Sequence, residues 1–238
     1  VIPDLATYKA LAASELLREL GPVEERTTKR GDLEYTGLYL YGAHTYLEFL
    51  KPDPAMGFAP GGSGIAFGVE LPGGLARIAP VLAAAGVNTF PGKITREFEG
   101  QQVPWFDVLG FEAATAAQRL QLFAMEYDPE YLRRWHAPAM VEPARIDRGA
   151  VLARTATVLG KLDDPAIGDV IDVWFGLVEP EFERYLQVAK GLDLSSHGLV
   201  GETAVGVKFS MYAMPIERRP YGGVARIEVE LERALEDK

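Results

Sequence analysis

The feature that most constrains the fold of this 238-residue chain is an order of elements that occurs twice. The stretches "YLEFLKPDP" (46–54) and "AMEYDPEY" (124–131) each combine a Glu, aromatic residues and an Asp-Pro turn. Each stretch ends a segment that runs through a predicted helix, a glycine and predicted strands. This repetition predicts two similar units that pack together, one at residues 1–54 and the other at 64–132.

The period of the apolar residues predicts where the helices and strands of these units lie. Asp4 or Thr7 is a suitable N-cap for a first helix, and Gly21 is a suitable end for it. Pro80 is expected to limit or kink the second helix. The predicted helices are 5–20 and 73–86, and the predicted strands are the hairpin 33–50, the stretch 64–70 and part of 118–132. Each unit is therefore βαβββ-like, with the first strand of unit one reduced to Val1 and Ile2.

A third, more diverged unit is predicted in the last hundred residues. Strands are expected at 169–177, 205–215 and 222–233, and a helix at 179–192. The predicted fold class is α+β. We divide the chain into paired units at 1–136 and a connector followed by a βαββ-like unit at 137–238.

Composition excludes several classes of protein. The formal net charge is −10 without a cluster of Lys and Arg, which argues against nucleic-acid binding. No apolar run reaches the ~18 residues of a membrane helix, so we expect a soluble protein without a membrane partner. The absence of cysteine excludes disulfides, thiolate catalysis and Cys-based zinc sites. Location in the cytoplasm is favoured, and secretion after processing stays open because the chain begins without Met.

The hairpin at 33–50 offers the first candidate site. Gly42 and Ala43 suit a two-residue II′ turn, which would pair residue 39 with 46 and residue 37 with 48. Alternation then gathers Tyr39, Tyr41, His44, Tyr46 and Glu48 on one face. Aromatic rings with polar ends suit a ligand pocket. The alternative is a tyrosine-rich sheet face that is half exposed to solvent.

Glu126 is the second candidate, because strand alternation places it on the same face as Leu120, Leu122 and Ala124. A carboxylate on an apolar face needs a partner, a raised pKa or a metal ion. If the two units are related by a pseudo-twofold axis, Glu48 and Glu126 face one cleft.

The strings "GLYLYGAHTYLEFL" (37–50), "SGIAFGVE" (63–70) and "FAMEYDPEYL" (123–132) resemble an uncharacterised bacterial domain family of unknown function with glyoxalase-like repeats. Repeated βαβββ units resemble more broadly the vicinal oxygen chelate superfamily, which includes glyoxalase and ring-cleaving dioxygenases. That resemblance implies an open barrel around a divalent ion held by His or Glu of the first and last strands. Glu48 and Glu126 match the last-strand ligands. The first strand of unit two departs from the pattern, since Gly64, Ala66 and Gly68 leave it nearly bare.

Two classes of function follow from the resemblance and from the hairpin. In the first, Glu48 and Glu126, with His44, hold Mg²⁺, Mn²⁺, Fe²⁺ or Zn²⁺, or one carboxylate acts as a base, in an isomerase, lyase or oxygenase. In the second, the cleft lined by Tyr39, Tyr41 and Tyr46 captures a cationic or aromatic compound without turnover, as in drug-sequestering proteins. The partner in both is a small molecule, and the protein is expected to be a monomer or a homodimer.

Arginines add one further candidate. Arg26, Arg96 and Arg119 are available to contact an anionic substrate. Exposed arginines are common, so neither class of function depends on them.

Overall fold

The computed structural model describes the protein at residues 1–43, 45–98, 100–111, 120–135, 151–152, 166–178, 182–183, 185–188, 195–196, 200–202, 208–214, 223–231 and 235. These residues form three β-sheets and a small number of helices, which confirms the predicted α+β class. The predicted domain division stays a prediction.

The helices and strands are numbered in chain order. The helices are α1 (Leu5–Ala13), α2 (Glu15–Leu20), α3 (Gly74–Ala84) and α4 (Pro129–Trp135). The strands are β1 (Val23–Arg30), β2 (Leu33–Tyr41), β3 (Tyr46–Leu50), β4 (Ser63–Gly68), β5 (Thr89–Phe98), β6 (Gln101–Phe111), β7 (Leu120–Tyr127), β8 (Ile167–Val178), β9 (Ser195–Ser196), β10 (Val200–Glu202), β11 (Lys208–Met214) and β12 (Gly223–Leu231). Residues 151–152, 182–183 and 185–188 are also helical.

The first sheet has the order β1-β2-β3 and is antiparallel. The backbone of Val1 lies beside its outer strand: the Val1 nitrogen donates to the Glu48 carbonyl, and the Leu50 N–H donates to the Val1 carbonyl, both at 2.8 Å. Val1 is thus bonded to Glu48 and Leu50, the residues on either side of Phe49. Parallel strands are bonded in this way. Val1 therefore continues the first sheet beyond β3.

The second and third sheets share one strand order. In the second sheet the order is β4-β7-β6-β5, and β4 runs parallel to β7. In the third, β8-β11-β10-β9 repeats this order with β8 parallel to β11, and β12 is added antiparallel to β8. A parallel pair of first and last strands needs a crossover, and α3 provides it in the second sheet.

The main core lies between the second and third sheets. Side chains from α3, β6 and β7 pack there against side chains from β8 and the helical residues 182–183 and 185–188. The Tyr185 hydroxyl donates a hydrogen bond to the Leu120 carbonyl across this contact. Leu82 and Leu120 are almost fully buried, as is Leu177 from β8. Burial of these apolar side chains accounts for the association of the two sheets.

The predicted helix at 5–20 is two helices. Ser14 ends α1 and caps α2, because its hydroxyl accepts a hydrogen bond from the Leu17 N–H at 3.3 Å. Serine competes for backbone groups in this way, which favours a break over a continuous helix. The predicted helix at 73–86 is α3, and Pro80 lies inside it.

Strand β1 was not predicted, because its sequence "VEERTTKR" is mostly charged. It forms because every residue of β1 pairs with a residue of β2. Its apolar content is too low for the alternation of a buried strand to be visible in the sequence.

The predicted register of the hairpin is wrong by two residues. Tyr39 pairs with Glu48 and Tyr41 pairs with Tyr46, so the loop contains residues 42–45. The Gly42 N–H closes this loop on the Thr45 carbonyl at 2.8 Å, and the Ala43 N–H donates to the Ile167 carbonyl of β8. The loop therefore replaces the two-residue turn and uses its amides for a tertiary contact. A shift of two residues keeps every side chain on its predicted face.

Within the described residues, no helix combines the length and apolar character required to cross a membrane.

Candidate functional site

Three tyrosines, Tyr39, Tyr41 and Tyr46, form what we call the tyrosine cluster. Their ring centroids lie 6.1–6.2 Å apart in all three pairs. Tyr39 and Tyr41 are buried, whereas Tyr46 is 37% exposed and connects the cluster with solvent. The predicted aromatic face of the hairpin is thus assembled.

The Glu48 carboxylate lies at the edge of the tyrosine cluster. Tyr39 donates its hydroxyl hydrogen to Glu48 Oε1 at 2.6 Å. Gly37 leaves space for the Tyr39 ring, because a Cβ atom at Gly37 would lie 3.0 Å from Tyr39 Cε2. In the described part of the chain, no Lys or Arg side chain forms an ion pair with Glu48. The carboxylate is thus held by a neutral donor.

Arg26 of β1 covers the other side of the Tyr39 ring. Its guanidinium carbon is 4.2 Å from the ring centroid, which is a cation–π contact. Arg26 Nη1 is 3.3 Å from Glu24 Oε2, and the Tyr41 hydroxyl donates to the same oxygen at 2.9 Å. Burial acts to lower the pKa of Arg26, but Tyr39, Tyr41 and Glu24 outweigh it and raise the pKa. Arg26 is therefore a permanent cation of this face.

The second sheet contributes a matching aromatic group. Tyr127 and Tyr131 stack with centroids 6.4 Å apart. The Arg96 guanidinium lies 4.8 Å from the Trp105 ring centroid and donates to the Tyr131 hydroxyl at 3.2 Å. Strand β5, which carries Arg96, packs against β1, which carries Arg26, so the first two sheets are in contact.

The helical residues Val151 and Leu152 join the two groups. Val151 packs with Tyr131, and Leu152 packs with Tyr39 and Tyr41. We use the name aromatic cleft for these two groups taken together, which are the tyrosine cluster with Arg26 and Glu48, and Arg96, Trp105, Tyr127 and Tyr131.

Burial keeps the tyrosines of the aromatic cleft protonated. It raises the pKa of Tyr39 and Tyr41 above the ordinary value, and neighbouring Glu48 and Glu24, respectively, act in the same direction. Burial likewise raises the pKa of Tyr127 to about 12. The hydroxyls are therefore hydrogen-bond donors throughout the neutral pH range.

Glu126 serves the N-terminus of α3. Its Oε1 accepts the Gly73 N–H at 2.5 Å and its Oε2 accepts the Leu75 N–H at 3.2 Å. The cap residue Gly73 has no side chain to bind these amides, so a carboxylate from β7 takes the role and also complements the helix dipole. The sequence analysis expected this carboxylate to need a partner, a raised pKa or a metal ion. The N–H groups at the start of α3 are such a partner.

Glu48 and Glu126 have different hydrogen-bond partners, the Tyr39 hydroxyl for Glu48 and the N–H groups at the start of α3 for Glu126. Glu126 therefore lies on the α3 side of β7. Adjacent residues of a strand point to opposite faces of the sheet, so Tyr127 lies on the other face of β7. His44 and Arg119 lie outside the described residues. The residues that the structure describes contain no group of three His, Asp or Glu able to hold a metal ion.

A shallow groove on the α3 side of the second sheet has a volume of about 450 Å³. Its polar side chains already neutralise each other, since Lys93 Nζ lies 3.0 Å from Asp107 Oδ1. The rest of its lining is apolar or glycine. It presents fewer directional groups than the aromatic cleft, so we place the candidate site in the cleft. The lining residues are Leu75, Ala76, Ala79, Pro91, Gly92, Lys93, Asp107, Val108 and Leu109.

Comparison with protein families gives one match. The model of the family of unknown function DUF5829 matches residues 1–238. The chain belongs to the DUF5829 family. This confirms the predicted membership of an uncharacterised family. No curated protein matches this DUF5829 chain.

Sequence reasoning named Arg26 and Arg96 of this DUF5829 protein as candidate contacts for an anion, but did not connect them with the tyrosines. Arg26 and Glu24 lie on the unpredicted strand β1, so no pattern linked them to the hairpin. Tyr127 could have been found. The alternation that put Glu126 with Leu122 and Ala124 on a helix-facing side also puts Tyr127 on the opposite side.

Replacement of Glu126 tests its role at the start of α3. We expect Glu126→Ala to lower the free energy of unfolding by about 1–2 kcal/mol, because two helix N–H groups lose their acceptor. Glu126→Gln keeps an acceptor oxygen and is expected to lose less. Urea denaturation followed by circular dichroism measures both. Equal stability of Glu126→Ala and the wild type would contradict the assigned role.

Alkaline titration tests the protonation of the cleft. The chain has ten tyrosines, and we expect fewer than ten to ionise in the native protein by about pH 11. The raised pKa values of the cleft tyrosines contribute to the free energy of unfolding, and this contribution is fully present below pH ~10, the unfolded value. It is lost as the pH rises through the folded values, and the folded value of Tyr127 is about 12. Absorbance at the tyrosinate band measures ionisation, with urea-denatured protein as the control. Ionisation of all ten tyrosines at the ordinary pKa in the folded protein would refute the raised pKa values.

Proposed function

We propose that this DUF5829 protein is a glyoxalase-like small-molecule-binding protein whose aromatic cleft takes a small aromatic cation. The observation that carries the proposal is the Glu48 carboxylate, held by the Tyr39 hydroxyl among tyrosine rings. The proposal corresponds to the non-catalytic class of function predicted from the sequence.

The strand order supports a glyoxalase-like relationship. Residues 63–127 run β4, α3, β5, β6 and β7, a βαβββ unit whose first and last strands are parallel neighbours. The third sheet repeats that order, and Val1 lies in a parallel position beside β3 in the first. Fold alone does not determine activity, so the ligand is argued from the cleft.

The charge and the rings of the cleft favour a cation. A carboxylate that has no cationic partner among the described side chains gains from a positively charged ligand. The negative faces of Tyr39, Tyr41 and Tyr46 add cation–π attraction, which strengthens when water is excluded. Tyr46 is the exposed member, so a ligand reaches Glu48 past its ring.

The residues at hand do not fit the shared metal ion of the enzymatic alternative. Each oxygen of Glu126 accepts one backbone N–H group at the start of α3, so the carboxylate is committed to the helix and two of its lone pairs are in use. We derive no reaction step through a metal. The ion held by Glu48, Glu126 and His44 stays a prediction.

Binding of benzylamine, followed by titration calorimetry, tests the proposal. We expect Glu48→Gln to weaken benzylamine binding about tenfold, because the ammonium loses its charged acceptor. Glu34→Gln is the matched control, since it removes the same charge from an exposed surface pair with Lys29. Equal affinities of the Glu48→Gln and Glu34→Gln variants would refute the proposal.

Metal content by mass spectrometry separates the two classes of function. After incubation with Mn²⁺, Fe²⁺ or Zn²⁺ and desalting, we expect sub-stoichiometric metal that is the same in the wild type, Glu48→Ala and Glu126→Ala. Near-stoichiometric metal that is lost in both variants would establish the shared ion and overturn the non-catalytic assignment.

A further inference from the structure

Arg26 has a buried donor that the protein does not use. Its Nε atom is buried and has no hydrogen-bond partner among the described residues, whereas Nη1 serves Glu24 and approaches the Tyr41 hydroxyl at 3.5 Å. A buried unsatisfied donor is uncommon in folded proteins and marks a position for water or for a ligand acceptor. The guanidinium therefore offers hydrogen bonds beyond its ion pair.

Arg96 brings a second positive charge to the same region. It comes from β5, which packs against β1, the strand of Arg26. Arg26 lies over the Tyr39 ring and Arg96 lies over the Trp105 ring, so each guanidinium is held against an aromatic side chain of the cleft. The stacking of Arg96 on Trp105 and its hydrogen bond to Tyr131 restrict its position.

Tyr39 relates these cations to Glu48. The Glu48 carboxylate binds the hydroxyl of Tyr39, and the Arg26 guanidinium covers the ring face. The carboxylate and the guanidinium thus contact the same side chain, and one-ring compounds are the probes of matching size.

We infer that Arg26 and Arg96 form an anion-binding subsite of the aromatic cleft, and that its ligand is an amphoteric aromatic compound. This rests on the proposed function, which places the cationic group of the ligand at Glu48. The anionic group, a carboxylate or a similar oxyanion, accepts hydrogen bonds from the Arg26 side chain, for which guanidinium geometry is well suited.

Three one-ring probes separate the two subsites: benzylamine carries only the cation, benzoate only the anion, and 4-(aminomethyl)benzoate carries both. Calorimetry in a phosphate-free buffer is expected to show 4-(aminomethyl)benzoate binding about tenfold more tightly than benzylamine. Arg26→Lys keeps the charge but lacks the Nε donor. It should remove that advantage, which is read as the ratio of the 4-(aminomethyl)benzoate and benzylamine affinities measured on the same variant. Arg77→Lys, at an exposed position of α3, is the matched control.

The results distinguish failure of the subsite from failure of the proposed function. An unchanged preference for 4-(aminomethyl)benzoate in both Arg26→Lys and Arg96→Lys would overturn the anion subsite. Arg26-dependent binding of benzoate without any binding of benzylamine would uphold the subsite and refute the cation site. If Arg26→Lys does not fold, wild-type protein decides: benzoate must bind more tightly than benzyl alcohol, and equal affinities overturn the inference.

Discussion

Strand β7 is packed on both faces, and the arrangement of the remaining elements depends on this double burial. One face carries Leu120, Leu122 and Ala124 into the core formed with α3 and β8. The other face carries Tyr127 against Tyr131 and the neighbouring buried cluster that includes Val151. Because residues of a strand alternate between faces, the place of each side chain in the sequence decides which layer it enters.

Two glutamates in similar sequence contexts acquire different roles for this reason. Glu126 faces α3, where the first N–H groups of the helix have no acceptor from their own cap, and it satisfies them. Glu48 faces the aromatic cleft and receives a hydroxyl from Tyr39. A carboxylate that caps a helix contributes to stability, whereas a carboxylate held by one neutral donor keeps the capacity to bind a charged partner. The repeated sequence motif therefore does not imply a repeated function.

Much of the fold could be predicted from apolar period and turn residues. The helix at 73–86, the hairpin strands and the strands near 169–177 and 222–233 correspond to α3, β2, β3, β8 and β12. The tyrosine face was also predictable, because a register error of two residues does not change the face of a side chain. Strand β1 could not be predicted, since its residues are mostly charged and its formation depends on pairing with β2. Glu24 was missed with it, and Arg26 was named as a candidate contact for an anion but was not placed beside the tyrosines.

The sequence by itself determined which side chains share a face, because alternation along a strand is a local property of the backbone. It determined the rings of Tyr39, Tyr41 and Tyr46 beside Glu48, and the placing of Glu126 among aliphatic residues. Only the tertiary structure decided what lies opposite each face. The α3 N-terminus is hydrogen-bonded to Glu126, and Arg26 of β1 forms a cation–π contact with Tyr39. Both contacts join residues that are distant in the chain. Such partners depend on how sheets and helices stack, and no period within a single segment encodes that stacking.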